Sequence, residues 1–298
     1  MHKFLKAAGF SSIEKRKEYE LLIKNVVNEA TSRVFTSKDD ETMVAEYRKE
    51  FAPGIGLAVC GEYNENNQFF FDYMYPYLEG NMISSYEDIT IERHADKESY
   101  AGVCEESQIG VTLIFYLQNT IQYLRARNSG LLPIKGTSVS LTALSVQGTI
   151  MMPLLKNEKD IEKANKAKNS RAKLLEAARH GDEEAIENLT LDDMDTYTAI
   201  SKKIRKEDIF TIVDTCFMPY GVECDQYSIL GEIQDLSLVK NILTNEEIYK
   251  MRIICNGLVF DLCINKADLF GEPQIGRRFK GLIWLQGCVN YPEDISAS

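Results

Sequence analysis

The sequence predicts an α+β protein with a mainly antiparallel N-terminal sheet and its helices, a helical connector and a small C-terminal β-barrel. A chain of 298 residues is longer than one hydrophobic core usually serves. Strand-like segments recur up to residue 155, charged helix formers begin at residue 156, and strand-like segments return near residue 216. We therefore expect an α+β domain at 1–155, a connector at 156–215 and a barrel domain at 216–298.

Two helices are expected before the first strand. Residues 1–30 carry an apolar stripe at helical spacing. The segment SKDDETMVAEYRKEF, residues 37–51, predicts a second helix. Ser37 can cap this helix, and the acidic residues in its first turn would complement the helix dipole.

An antiparallel hairpin is expected next. The segments GLAVCGEY and QFFFDYMYPYL are separated by NENN, which is rich in turn-forming residues. Further strands are predicted in DITIERH, in GVTLIFYL and at residues 137–152. In the second strand of the hairpin, five aromatic residues alternate onto one face, namely Phe69, Phe71, Tyr73, Tyr75 and Tyr77.

This aromatic row has two interpretations. A row of rings can stack on the bases of a single strand of nucleic acid. However, the segment between Lys49 and Arg93 holds eight acidic and no basic residues, and these would repel phosphates. We favour a sheet core with tyrosine hydroxyls at its rim, and a protein interface is the alternative.

The segment YKMRIICNGLVFDLCI gives the clearest local prediction. Its Asn256-Gly257 dipeptide is the favoured type I′ hairpin turn. With YSILGEIQDL and FKGLIWLQGCV, the hairpin supplies at least four strands, which predicts a small closed barrel of OB-like topology. A two-residue turn sets three opposite pairs, which are Ile253 with Phe260, Met251 with Leu262, and Arg252 with Asp261.

Charge and cysteine content argue against several classes of function. The net charge of −11 argues against a general polyanion binder. The N-terminus has no apolar segment long enough for a signal peptide, and the uncharged stretches alternate like strands rather than a membrane helix. Seven cysteines without CxxC spacing predict reduced core thiols and no metal site. We expect a soluble cytoplasmic protein with no membrane contact and no cofactor.

Long segments of the chain resemble one family. They are MDTYTAISKKIRKEDIFTIVDTCFMPYGVECDQYSILGEI and EIYKMRIICNGLVFDLCINKADLFGEPQIGRRFKGLIWLQG, together with the opening MHKFLKAAGFS and VSLTALSVQGTIMMPL. The family is a group of uncharacterised bacterial proteins, mainly from anaerobic Gram-positives, labelled only as a domain of unknown function. The resemblance implies a cytoplasmic bacterial protein, and it supplies no activity, ligand or catalytic residue.

The sequence does not indicate an enzyme. Of the three histidines, His2 is terminal and His180 lies at an expected helix end, which leaves His94 as the one candidate base. The acidic segment DDMDTYT at 192–198 lacks the strand and spacing of a phosphatase loop. No GxxxxGK[ST], GxSxG or HExxH motif occurs. We therefore assign no catalytic residue.

The segment GEPQIGRRFKGLIWLQG is the best candidate binding site. The mixture of basic and aromatic residues is typical of single-stranded nucleic-acid grooves, and it would also suit another anion or a protein contact. A structural strand with a basic edge is the interpretation we favour, because LIWLQGCV is apolar on both faces. The candidate binding residues are Arg277, Arg278, Phe279, Lys280 and Trp284.

The function expected from these observations is that of a non-enzymatic cytoplasmic adaptor or regulatory protein that binds another protein. Self-association is a further option for such a protein. The leading alternative is binding of single-stranded nucleic acid through the C-terminal barrel. An enzyme whose active site leaves no recognisable motif is the third hypothesis.

Overall fold

The computed structural model describes residues 2–37, 42–93, 99–106, 109, 111–132, 136–153, 170, 173–174, 177–178, 180–191, 194, 213–222 and 224–291. Most of the predicted connector at 156–215 lies outside these residues, as does His94. The helices begin with a 3-10 helix at Lys3–Ala8, followed by α1 at Arg16–Asn28 and α2 at Thr120–Asn128, and a second 3-10 helix occupies Lys266–Asp268. Residues 183–191 are also helical.

Strands make up most of the described chain. In chain order they are β1 Ser32–Ser37, β2 Met43–Ala52, β3 Ile55–Tyr63, β4 Phe69–Leu78, β5 Ile89–Arg93, β6 Tyr100–Glu106, β7 Val111–Leu117, β8 Ser138–Met151, β9 Cys216–Pro219, β10 Gln226–Lys240, β11 Glu247–Cys255, β12 Leu258–Asn265, β13 Leu269–Phe270 and β14 Arg278–Asn290.

The first sheet is antiparallel and has the order β1-β2-β3-β4. The predicted hairpin of NENN is confirmed as β3 and β4, with Tyr63 opposite Phe69. Its turn is held by Asn64, whose Oδ1 accepts hydrogen bonds from the backbone N–H groups of Asn66 and Gln68 at 3.0 and 2.9 Å. Helix α1 packs against β2 and β3.

The second sheet contains a closed barrel of five strands, which confirms the predicted small β-barrel. Around the ring the order is β8-β12-β11-β10-β14, and pairing of β14 with β8 closes it. Strands β8 and β12 are parallel, whereas the other ring neighbours are antiparallel. Strands β7, β6 and β5 extend the sheet from β14. Strand β8 comes from the 1–155 part of the chain and closes the barrel with strands from 216–298.

The hairpin at Asn256-Gly257 has the predicted register. Ile253 lies opposite Phe260, and Met251 opposite Leu262, with all four side chains buried. On the other face, Arg252 Nε donates to Asp261 Oδ1 at 3.1 Å. Both turn residues have positive φ, 52° at Asn256 and 96° at Gly257, as a type I′ turn requires.

A Gly257→Ala substitution is expected to lower the free energy of unfolding by about 1–2 kcal/mol, because a Cβ at positive φ is strained. Urea denaturation of the variant and the wild type measures this difference. An unchanged midpoint would mean that the turn relaxes to another type without cost.

The predicted helix at 37–51 is wrong, because residues 43–52 form strand β2. This strand hydrogen-bonds to β1 on one side and β3 on the other. Its adjacent residues Val44 and Ala45 are both buried, in different core clusters. Burial on both faces favours a strand, and it overrides a local helical preference. Ser37 ends β1 instead of capping a helix, and residues 38–41 lie outside the described residues.

The aromatic row of β4 is interrupted by a bulge. Tyr73 lies opposite Cys60 but Phe71 lies opposite Gly61, so Asp72 is the extra residue. Tyr75 and Tyr77 are buried in the core, whereas Phe71 is exposed. The expectation of one buried aromatic face is therefore corrected, since the bulge shifts the alternation and leaves the start of the strand outside the core.

Two core clusters lie on opposite faces of β14. Ile283, Leu285 and Val289 belong to the cluster that fills the barrel, whereas Trp284 belongs to the cluster shared with the four-stranded sheet and α1. The interpretation of LIWLQGCV as a strand buried on both faces is thus consistent with its packing. Among the described residues, no helix is long and apolar enough to cross a membrane.

Candidate functional site

Arg278, from the predicted basic segment, is buried with 4% of its surface exposed. Its Nε donates to the Met152 carbonyl at 3.0 Å, and its Nη1 donates to the Val213 carbonyl at 2.9 Å. Burial lowers the pKa of this guanidinium, and the nearby charge of Asp214 offsets part of that effect. Arg278 therefore ties the end of β8 to the segment before β9.

Phe279 and Trp284 are also buried. Phe279 fills the barrel interior with none of its surface exposed. The Trp284 Nε1 donates to Asp225 Oδ2 at 2.6 Å. The rings of His2 and Phe4 lie with their centroids 4.5 and 5.4 Å from that of Trp284, so the indole anchors the N-terminus to β14.

Arg277 and Lys280 are the two half-exposed members of the predicted site. Arg277 Nη1 donates to the Glu272 carbonyl at 2.7 Å, which closes the loop before β14. The five candidate residues thus divide into three buried side chains and two at the surface, and they do not line one groove.

A cavity of about 390 Å³ lies between α2 and the four-stranded sheet. It was not predicted from the sequence. Its floor is charged, its sides are partly apolar, and exposed acidic and basic groups surround its mouth. The lining residues are Thr31, Ser32, Val34, Glu46, Arg48, Glu50, Tyr77, Glu79, Asn119, Ile121, Gln122, Arg125, Ala126, Ser129 and Leu131.

The floor is a buried ion pair between neighbouring positions on one face of β2. Arg48 Nε donates to Glu46 Oε1 at 2.6 Å, and Arg48 Nη2 donates to the Gln118 carbonyl at 2.6 Å. The Tyr75 hydroxyl donates to Glu46 Oε2 at 2.9 Å. The guanidinium carbon lies 5.1 Å from the centre of the Tyr77 ring. The pair is therefore held by backbone, hydroxyl and aromatic contacts together.

Burial and nearby negative charge shift the pKa of the Arg48 guanidinium in opposite directions. Burial is the largest single effect and would lower the pKa of its guanidinium. The charge and hydrogen bond of Glu46, together with Tyr75 and Cys288, outweigh burial, so that pKa lies well above its ordinary value. Arg48 is consequently a fixed positive charge at the bottom of the cavity at every accessible pH.

A signal for this floor was present in the sequence. Glu46, Arg48 and Glu50 alternate along MVAEYRKEFA, which places three charged residues on one face if the segment is a strand. Interpreting the segment as a helix concealed this face. Arg125 comes from α2, and its approach to β2 depends on tertiary packing that the sequence does not display.

The thiols and phenols near the floor are poor nucleophiles. Burial is the main cause that raises the pKa of Cys60, Tyr73 and Tyr116 well above ordinary values. A thiol held protonated is a weak nucleophile. Around Glu46, the Cys60 thiol and the Tyr75 hydroxyl therefore act as hydrogen-bond donors.

Two buried thiols elsewhere in the fold should make the protein less stable at alkaline pH. Burial raises the pKa of Cys255 and Cys263 from 9.0 to about 12. The folded state then holds these protons more tightly than the unfolded state. Their contribution is complete below pH 9.0, and it is lost as pH rises towards about 12. Each thiol should contribute a slope of at most about 1.4 kcal/mol per pH unit.

Urea denaturation at several pH values above 9.0 measures this slope, and Cys263→Ala should reduce it. An identical slope in the variant and the wild type would show that the Cys263 thiol ionises normally in the folded protein.

A second candidate surface lies on one face of the four-stranded sheet. The register places Phe35, Ala45, Gly61 and Phe71 in one row and Met43, Tyr63 and Phe69 in the next, all on the same face. Phe35, Met43 and Phe71 are 52%, 42% and 41% exposed. We call Phe35, Met43, Tyr63, Phe69 and Phe71 the aromatic face.

Among the described residues, the histidines and possible metal ligands add no further site. His2 Nδ1 accepts a hydrogen bond from the Phe4 N–H at 3.4 Å, and His180 lies in an exposed turn. Across the described ranges, no three His, Cys, Asp or Glu side chains are grouped so as to hold a metal ion. That the chain has no cofactor stays a prediction.

Comparison with known proteins identifies a family and no function. Neither the curated proteins nor the solved structures provide a match to this chain. A family profile described as a domain of unknown function, named after E. rectale and called DUF3881, matches residues 5–287. This confirms the resemblance to an uncharacterised family from an anaerobic Gram-positive. Because the match spans nearly the whole sequence, the chain belongs to the DUF3881 family.

Proposed function

We propose that this chain is a cytoplasmic, non-enzymatic adaptor or regulatory protein that binds another protein through the aromatic face. The observation that carries the proposal is the exposure of Phe35, Met43 and Phe71 on one face of a sheet. Contiguous exposed apolar surface is typical of protein-binding sites. The seven unpaired cysteines fit a reducing compartment.

The shape of the aromatic face favours a partner element that lies across it. Ala45 and Gly61 lie between Phe35 and Phe71, and both are buried, with the Phe69 ring over Gly61. Two exposed rings about 14 Å apart therefore stand on either side of a covered centre. A side chain at Gly61 is excluded, because a Cβ there would lie 2.1 Å from the Phe70 carbonyl oxygen. The distance between the two exposed rings is wide enough for one apolar strand or one face of a helix to lie across the aromatic face.

The charges around the aromatic face define the partner's chemistry. Strands β3 and β4 belong to the segment between Lys49 and Arg93 that holds eight acidic and no basic residues. On β1, Arg33 is engaged with Tyr47, its guanidinium carbon 5.8 Å from the ring centre. We therefore expect a protein partner whose apolar residues are flanked by lysine or arginine.

A Phe71→Ser variant tests this function. The wild-type chain, used as bait, identifies a partner, which is then purified and titrated calorimetrically. We expect Phe71→Ser to weaken binding at least about tenfold, since buried aromatic residues dominate interface energies. Phe270→Ser is the control, because Phe270 is also an exposed phenylalanine, 78% against 41% for Phe71, but lies on β13.

Two results would overturn the proposal. One is a partner that binds the Phe71→Ser variant as tightly as the wild type. The other is a dimer that light scattering detects in the wild type and that the same substitution dissociates, because the face would then bind a second copy of this chain. The substitution itself should lower the free energy of unfolding by about 1–2 kcal/mol, because Phe71 is 41% exposed and loses part of its packing, so the variant should stay folded.

Single-stranded nucleic-acid binding through the barrel is the weaker candidate. It is supported by the half-exposed Arg277 and Lys280, while Arg278, Phe279 and Trp284 are buried. A groove needs both cations and stacking rings at its surface. Anisotropy of a labelled oligonucleotide should show no binding that depends on Arg277, and salt-sensitive binding lost in Arg277→Ala would favour this candidate instead.

A further inference from the structure

We propose that the cavity between α2 and the four-stranded sheet binds a free α-amino acid with an apolar side chain. The cavity combines a positive pole at its floor and α2 wall, a negative pole at the β2–β3 turn, and apolar side chains between them. The inference is independent of the aromatic face, because it uses a different surface of the molecule.

The positive pole contains unused hydrogen-bond donors. The Nε and Nη2 groups of Arg48 are bonded, whereas Nη1 has no hydrogen-bond partner among the described residues. Arg48 lines the cavity with 17% of its side chain exposed, so a ligand can reach it. On α2, the Nη2 of Arg125 donates to the Phe35 carbonyl at 2.9 Å. Arginine donors of this kind suit a carboxylate.

The net charge of the positive pole is one unit. Glu46 neutralises one of the two arginines through its 2.6 Å contact with Arg48, and Arg125 supplies the remaining positive charge at the mouth. A monovalent anion is therefore matched in charge, while a multivalent phosphate would leave excess negative charge beside Glu46.

The negative pole is held by the backbone of Gly54. Its N–H donates to Glu50 Oε1, and its carbonyl accepts from the Glu79 N–H at 2.8 Å, which brings two exposed carboxylate residues to one corner. Lys250 lies beside this corner and donates to the Pro53 carbonyl at 2.7 Å. One cation against two carboxylates leaves one negative charge, which suits a single ammonium group.

The distance between the poles fits a small zwitterion. Arg48 and Glu50 lie two residues apart on the same face of β2, about 7 Å between their backbones. Val34, Ile121 and Leu131 line the apolar part of the cavity. A volume of about 390 Å³ is at the lower end of the range for ligand sites and admits one amino acid with its hydration water.

Calorimetric titration of the full chain with L-leucine, L-methionine and L-phenylalanine tests the site. We expect at least one of them to bind. We also expect binding to weaken at least about tenfold for 4-methylpentanoate, which lacks the ammonium group, and for 3-methylbutylamine, which lacks the carboxylate.

Matched variants connect binding to the two poles. Arg125→Gln should weaken amino-acid binding about tenfold, whereas Arg127→Gln on the same helix should not, because Arg127 bonds Tyr100 Oη outside the cavity. Glu79→Gln should weaken binding similarly, with Glu65→Gln as its control.

Three outcomes would overturn the proposal. They are no binding of any of the three amino acids at about 10 mM, equal binding of 4-methylpentanoate or 3-methylbutylamine, and equal loss in Arg127→Gln and Arg125→Gln. Phe71→Ser should bind amino acids normally, so that failure here and failure of the protein-docking proposal can be told apart.

Discussion

Replacing Arg48 with methionine is expected to lower the free energy of unfolding by about 3–5 kcal/mol, the usual cost of removing one partner from a buried ion pair. Glu46, which is 4% exposed, would lose its only charged hydrogen-bond partner among the described residues. The hydroxyl of Tyr75 and the thiol of Cys60 would remain as donors to Glu46. Neither can neutralise the carboxylate of Glu46, of which only 4% is exposed.

A double variant separates the cost of the orphaned charge from the loss of contacts. In Arg48→Met/Glu46→Leu, both charges are gone, and the Tyr75 hydroxyl keeps the Gln118 carbonyl as an acceptor at 3.2 Å. Apolar replacement of a buried pair is often neutral. We therefore expect the double variant to lie within about 1–2 kcal/mol of the wild type.

Urea denaturation of the wild type, both single variants and the double variant provides the full cycle. A loss of less than about 1 kcal/mol in Arg48→Met would show that the floor is hydrated and that Glu46 does not depend on its partner. If the double variant were as unstable as Arg48→Met alone, packing rather than charge would explain the loss.

The sequence predicted those parts of the fold that local residues determine. The Asn256-Gly257 turn fixes its own register, because only positive φ at both positions joins the strands so closely. The NENN turn is also determined locally, because the Asn64 side chain accepts hydrogen bonds from the backbone of its own turn. The dual burial of β14 could also be predicted, because apolar residues occupy both of its faces.

Features that depend on distant partners were missed. Strand β8 pairs with β14, for example Gly148 with Gly281, across more than a hundred residues of sequence. No local sequence pattern predicts that pairing. Segment 43–52 reads as a helix because its composition suits one, yet two neighbouring strands impose the sheet.

Among the candidate site residues, the sequence could not separate exposed from buried cations. Arg278 is the same residue type as its neighbour Arg277, but two backbone carbonyls from distant segments accept hydrogen bonds from its guanidinium and allow its burial. The burial of Arg48 could not be predicted for the same reason, because its acceptors Glu46 and Gln118 come together only when α2 packs near the sheet.

Phe279→Ala is expected to lower the free energy of unfolding by about 3–5 kcal/mol. The ring lies in the barrel over the cross-strand pair of Gly148 and Gly281. A Cβ at Gly148 would approach Phe279 Cε2 to 2.4 Å, and one at Gly281 would approach Phe279 Cζ to 2.6 Å. The two glycines therefore leave the space that the ring occupies, and removing the ring creates a cavity.

A compensating substitution tests this packing. Gly148→Ala alone should be destabilising, because its methyl group overlaps the ring. In the Phe279→Ala background the same methyl group enters the vacated space, so we expect the double variant to be more stable than the sum of the single effects by about 0.5–3 kcal/mol. Urea denaturation of the four proteins measures the coupling.

The same variant decides between a structural and a nucleic-acid role for the segment around Arg277. A base can stack on Phe279 only if the ring leaves the barrel. The protein would then lose the packing energy of the ring, about 3–5 kcal/mol. A loss of less than about 1 kcal/mol, with additive effects in the cycle, would place the ring at the surface beside Arg277 and Lys280. The expected large loss instead makes Phe279 a core residue of the five-stranded barrel, and binding by this strand is then restricted to its two half-exposed cations.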